Sequence, residues 1–127
     1  MNAVVATTKK LLFVDDDDLI VMLAAKTLER AGVAVDSFTD PKAALAAFAR
    51  APDDYDLVLS DVRLGEMDAF DMCGELLRMR PSLRIVLTSG LVRAEDVEHA
   101  RALGIGDVLS KSHVLTRLPE LLGRIRA

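Results

Sequence analysis

The stretch LLFVDDDDLIV, residues 11–21, sets four aspartates between two apolar runs. Like charges repel, and the repulsion grows beside a low-dielectric core. Solvent, the positive end of a helix or a bound cation can offset it. A further acid, Asp61, closes another apolar run, YDLVLSD (55–61). Thr88 and Ser89 close a third, LRIVLTS (83–89), and Ser110 and Lys111 close a fourth, GDVLSK (106–111). Carboxylates, hydroxyls and one ammonium therefore recur at one place in the pattern, the end of an apolar run. Brought together, Asp15, Asp16 and Asp61 would suit a hard cation with oxygen ligands, Mg2+ being the leading candidate. Only Asp15 and Asp16 need face that site. Asp17 or Asp18 is then left to cap the following helix and to favour its positive end.

Whether these groups meet depends on the elements that carry them. Short apolar runs at 10–14, 33–38, 55–60, 83–88 and 106–110 read as strands. They are unbroken rather than alternating, the mark of strands buried on both faces. Between them lie amphipathic stretches that read as helices: 18–32, 40–51, 69–80, 94–104 and 116–127. In the first, Ile20, Leu23, Ala24, Thr27, Leu28 and Ala31 form the expected inner face and Gly32 the stop. Asp40 and Pro41 supply an N-cap and a first helical position. Pro119 is harmless only in a first turn, so the last helix is expected to begin near Thr116, or to kink if it begins earlier. The βα unit occurs five times, which predicts an α/β three-layer sandwich around a parallel five-stranded sheet. With the flavodoxin-like order 2-1-3-4-5, strands one and three are neighbours and Asp15, Asp16 and Asp61 converge at their carboxyl ends.

The bulk properties narrow the class. A chain of 127 residues, 51% hydrophobic and 28% charged, fits one folded domain. A net charge of −4 argues against nucleic acid as a direct partner. Cys73 is the single cysteine, so no internal disulfide is possible, and a cytoplasmic setting is expected. No apolar run approaches membrane-spanning length. Residues 1–8 read as a flexible N-terminus, and no linker or second domain is visible, so 1–127 is expected to be one domain without an output module. His99 and His113 lack ligand-like spacing. Cys73, Met67, Met72 and Met79 read as packing residues.

LLFVDD (11–16), YDLVLSDVRL (55–64), IVLTS (85–89) and GDVLSKS (106–112) together resemble the receiver domain of two-component response regulators, of the chemotaxis-receiver kind, along essentially the whole chain. Weaker features resemble receivers attached to hybrid sensor histidine kinases. The resemblance implies that Asp61 is the phosphoacceptor for a phosphohistidine on a sensor histidine kinase or histidine phosphotransfer protein. It implies that Asp15, Asp16, Asp61 and the backbone carbonyl of Arg63 hold Mg2+. Thr88 would hydrogen-bond the phosphoryl group, and Lys111 would pair with Asp61 or with the phosphoryl oxygens. Such a domain is a signalling phosphoprotein in a phosphorelay rather than an enzyme, although it assists its own phosphorylation and dephosphorylation. A homodimer through helices 4 and 5 is a further expectation. Phosphoryl transfer depends mainly on positioning and charge cancellation, which a divalent cation, an ammonium and a hydroxyl provide.

Several positions depart from the family pattern. Gly65 stands where proline is usual, which predicts a looser loop after strand three. Ser112 replaces the proline after the lysine, so a trans peptide is expected there. Val108 stands where many receivers carry Tyr or Phe, and valine cannot make the aromatic rotamer switch. Arg63 is expected to overhang the phosphoryl group and tune its hydrolysis. Val21, Met22 and Ala25 on helix 1 are expected to form an outward docking patch for a helical partner. Two competing functions stay in view. A Mg2+-dependent phosphatase with an aspartate nucleophile usually needs a second acid two positions on, where this chain has Arg63. A pseudo-receiver acting only as a binding module would lack an acid or the lysine, and none is missing.

Overall fold

The computed structural model describes residues 10–65 and 67–114. The expected flexible stretch 1–8 and the expected last helix, 116–127 with Pro119, lie outside the described residues. In chain order the strands are β1 (Leu11–Val14), β2 (Val35–Phe38), β3 (Leu57–Asp61), the two-residue β4 (Arg63–Leu64) and β5 (Met67–Asp68), β6 (Arg84–Ser89) and β7 (Asp107–Ser110). Five of them form one parallel sheet in the order β2-β1-β3-β6-β7, which is 2-1-3-4-5 when only this sheet is counted. Four helices alternate with its strands: α1 (Asp18–Arg30), α2 (Pro41–Arg50), α3 (Ala69–Met79) and α4 (Ala94–Ala102). A fifth, α5, opens at 111 and is described to 114.

The apolar strand residues divide between two cores by alternation. Leu12, Val14, Val58, Ile85 and Leu87 point to the side covered by α2, α3 and α4, where they meet Phe48, Met72 and Leu76. Leu11, Phe13, Leu57, Leu59 and Val86 point to the side of α1, where they meet Ala24 and Leu28, with Val114 of α5. Each fully buried Leu or Phe contributes about 1.5–3 kcal/mol of transfer free energy, so the sheet is held from both faces. Cys73 and Met72 are core residues, and burial pushes the Cys73 thiol up to about 12, which leaves it unreactive at neutral pH.

The helix signals in the sequence act as expected at most ends. Asp17 caps α1 by accepting from the backbone N–H of Leu19 and Ile20. Gly32 ends that helix with φ +85°, a conformation that disfavours any side chain. Asp40 caps α2 through Lys42 N–H, with Pro41 first inside. Asp68 caps α3 through Phe70 N–H.

One expectation is corrected. Leu23 does not belong to the inner face of α1: it is 47% exposed, and the face against the sheet is built on Ala24 and Leu28, flanked by Ile20 and Val21. The small Ala24 lets the helix seat closely along that row, which turns Leu23 outward and Val21 inward. A helical turn opens at 111, where Ser110 Oγ accepts from His113 N–H at the strand end; the start expected near Thr116 lies outside the described residues. The loop after β3 carries a short hairpin: β4 pairs antiparallel with β5, and Gly65 has φ +74°.

Candidate functional site

The sheet order brings the ends of β1, β3, β6 and β7 to one edge. Parallel pairing aligns Val14 with Ser60, Asp61 with Thr88, and Ser89 with Ser110. The residues just past these pairs are therefore neighbours, and three carboxylates meet there. Oxygens of Asp15, Asp16 and Asp61 lie within 4.8 Å of one another.

The four aspartates of the first motif separate into distinct roles. Asp15 is buried, and its Oδ1 accepts from Asp17 N–H at 3.0 Å. Its Oδ2 is 3.1 Å from the Lys111 ammonium, facing it as a charge without a well-directed hydrogen bond. Asp16 is exposed at the mouth of the cluster, Asp17 is the helix cap, and Asp18 opens the first turn of α1. Repulsion is thus eased by one ammonium, one helix end and solvent, and concentrates on the pair that stays inside, Asp15 and Asp61.

Asp61 is 4% exposed at the end of β3, and its Oδ2 is 3.0 Å from Lys111 Nζ. Lys111 therefore bridges Asp61 and Asp15 from the first helical position of α5. Burial pulls its ammonium down, but its pairing with the Asp61 and Asp15 carboxylates outweighs that and leaves it raised and charged. Burial pushes the Asp15 carboxyl up, with the nearby Asp61 charge adding to it, and this exceeds the opposing effects of the Asp17 N–H and Lys111. A buried carboxylate oxygen without a directed hydrogen bond, two further carboxylates alongside and an all-oxygen donor set fit a small divalent cation.

Thr88 is buried beside Asp61 across the β3–β6 ladder, and its hydroxyl donates to Ser60 O at 3.4 Å. That bond is long, so the hydroxyl can be redirected toward a better acceptor. Ser89 Oγ donates to Leu91 O at 2.8 Å and holds the turn after β6. A methyl group at Gly65 would lie 3.7 Å from Asp16 Oδ2, an ordinary contact, so glycine is required there by its φ and not by crowding. Val108 is half-buried and packs against the core, and no cis peptide occurs among the described residues.

The Arg63 guanidinium pairs with Asp96 of α4 at 3.8 Å. Asp96 is the residue that sequence reasoning missed. It is 8% exposed, and the available signal was an acid in phase with Ala100 on the inner face of a helix. His99 is exposed, yet its ring stacks on Phe70 with centroids 4.0 Å apart.

The fold has close counterparts among known proteins. The response regulator receiver domain family matches residues 11–123. The aerobic respiration control sensor protein ArcB of Escherichia coli is 36% identical over 95 residues, 72% of this chain and 12% of that protein. The chain thus spans a small fraction of that relative's length. The chemotaxis protein CheY4 of Vibrio cholerae superposes with a TM-score of 0.85 at 26% identity, covering 94% of this chain and 99% of that one. A complex of CheX with CheY, BeF3 and Mg2+ from Borrelia burgdorferi aligns with a TM-score of 0.77 at 19% identity, covering 88% of this chain and 87% of that chain. The family match runs through every motif that ends in a polar strand terminus, the sheet order agrees with it, and the chain belongs to the response regulator receiver domain family.

Proposed function

We propose that the chain is a phosphoacceptor in a two-component phosphorelay. Asp61 attacks the phosphorus of a phosphohistidine on a sensor histidine kinase or phosphotransfer protein. The Asp61 O–P bond forms as the histidine N–P bond breaks, and the histidine nitrogen leaves with the electron pair. The observation that carries this reading is the bridging of Asp61 and Asp15 by Lys111, at 3.0 and 3.1 Å, beside a third carboxylate.

Each residue then has a task. Asp61 is the nucleophile, held by Lys111 in one orientation. Lys111 can follow the new negative charge by moving to a phosphoryl oxygen. The Thr88 hydroxyl turns from Ser60 O to donate to another. Asp15, Asp16, Asp61 and the Arg63 backbone carbonyl would hold Mg2+, which supplies charge neutralisation at the transferring oxygens. The cation complexed in the Borrelia neighbour supports this choice. On this reading the domain is not an enzyme with a separate substrate: its own side chain is phosphorylated, it assists the loss of that group, and the state switches partner contacts. A cytoplasmic setting follows from the donors proposed; among the described residues no helix is long and apolar enough to cross a membrane.

The donor's docking surface is assigned to α1. Leu19, Met22 and Leu23 are 57%, 48% and 47% exposed and lie at i, i+3 and i+4, one stripe beside the acid cluster. This replaces the expected set of Val21, Met22 and Ala25, since Val21 packs inward. Pairing of two copies through α4 and α5 belongs to the same proposal. The test is transfer from a purified histidine kinase labelled on its phosphohistidine. Label should move to this chain and be released by hydroxylamine, as an acyl phosphate is; label that never leaves the kinases tried, or that resists hydroxylamine, contradicts the reading.

A further inference from the structure

Among the described residues, Asp96 is the buried acid that lies outside the phosphoacceptor cluster. It sits in the first turn of α4, a helix with no side-chain cap, where the positive end of the helix favours its charge. Its Oδ2 is buried and accepts no hydrogen bond. The cation that balances it is Arg63, at 3.8 Å. Charge-assisted hydrogen bonds to carboxylates are about 2.7–2.9 Å long, so this pair is held by charge and is not locked by geometry. Arg93, on the same rim, pairs with Glu95 at 3.8 Å.

Arg63 stands two residues after Asp61, about 7 Å along an extended chain, within reach of its own long side chain. A cleft of about 680 Å³ lies between the loop and α4, lined by Val62, Arg63, Gly65, Arg93, Asp96 and His99. The guanidinium has room to swing there. The stack of Phe70 on His99, tilted by 17°, ties α3 to α4 at the same cleft.

We infer that Asp96 is a positioning residue: it holds the Arg63 guanidinium in reserve and competes for it with the phosphoryl group on Asp61. The inference rests on the phosphoacceptor reading. A phosphoryl dianion offers more charge and better fork geometry than one carboxylate, so its arrival draws Arg63 across the cleft. Asp96 is then a buried carboxylate without its cation, an unfavourable state that the first turn of α4 relieves by opening to water. The phosphoryl state reaches α4 through an ion pair, in a chain where Val108 rules out the aromatic route.

Binding of beryllofluoride in the presence of Mg2+ tests this by calorimetry on the wild type, Asp96→Asn, Arg63→Gln and the double variant, with amide exchange followed over 94–102. Asp96→Asn keeps the side-chain shape, and Arg63→Gln approaches the pair from its exposed partner. Asp96→Asn should bind about fivefold tighter, the factor supported by a partly exposed ion pair. Arg63→Gln should bind more weakly, and adding Asp96→Asn to it should change nothing. On binding, wild-type amides at 94–97 should exchange faster, while those of Asp96→Asn should not respond. Equal affinities for wild type and Asp96→Asn, or the same gain in the Arg63→Gln background, would overturn the inference while leaving the phosphoacceptor reading intact. A wild type that takes up no beryllofluoride overturns that reading, and the inference with it.

Discussion

At the scale of single residues, Asp15 carries the conflict set up by the acid cluster. It is buried, it shares Lys111 with Asp61, and its carboxyl is pushed above its ordinary 3.8, mainly by desolvation. The folded chain therefore holds that proton more tightly than the unfolded chain does. Stability from this group is present at low pH and is lost as pH rises from 3.8 through the raised value. Replacing the carboxylate by its neutral isostere removes the cost. Asp15→Asn should accordingly be more stable than the wild type at pH 7 without metal. Urea unfolding with and without Mg2+ checks this: the variant's midpoint should rise, and Mg2+ should stabilise the wild type but not the variant. A less stable Asn variant would mean that the pairing with Lys111 outweighs burial.

At the scale of elements, α1 has two separate jobs, and its sequence shows them unequally. Ala24 and Leu28 seat it on the sheet, and Asp17 fixes its start beside the cluster. Leu19, Met22 and Leu23 are left outside as a stripe. Met22→Glu with Leu23→Glu should therefore leave phosphorylation by acetyl phosphate unchanged and reduce transfer from a cognate kinase at least about tenfold, since loss of one or two central apolar contacts costs over 1 kcal/mol each. Parallel kinetics with both donors measure it; equal loss with both would point to damage at the site, and equal retention would place the dock elsewhere. The inner and outer faces of α1 are not separable by periodicity alone, because Ile20 through Ala25 are apolar at every position and the packing partner decides the phase. The β4–β5 hairpin is hidden for another reason: two-residue strands have no period to detect. Ser110 does carry a readable cap signal for the helical turn that opens at 111.

At the scale of the molecule, the architecture is legible because five unbroken apolar strands alternating with amphipathic helices admit few arrangements, and the topological switch point then dictates where polar strand ends gather. From residue types and strand ends alone, Asp15, Asp16, Asp61, Thr88 and Lys111 come to one edge. The Arg63–Asp96 pair does not emerge that way, because ion pairing across the cleft depends on how α4 packs, which no local pattern encodes. The signalling role rests on Asp61 accepting a phosphoryl group with the help of the cation held beside it. Intact mass after incubation with acetyl phosphate, with and without Mg2+, for wild type and Asp61→Asn, tests that most directly. One added phosphoryl group on the wild type, dependent on Mg2+ and missing from the variant, is the predicted result. A mass gain that persists in Asp61→Asn or without Mg2+, or no gain from either acetyl phosphate or a phosphorylated histidine kinase, would contradict it.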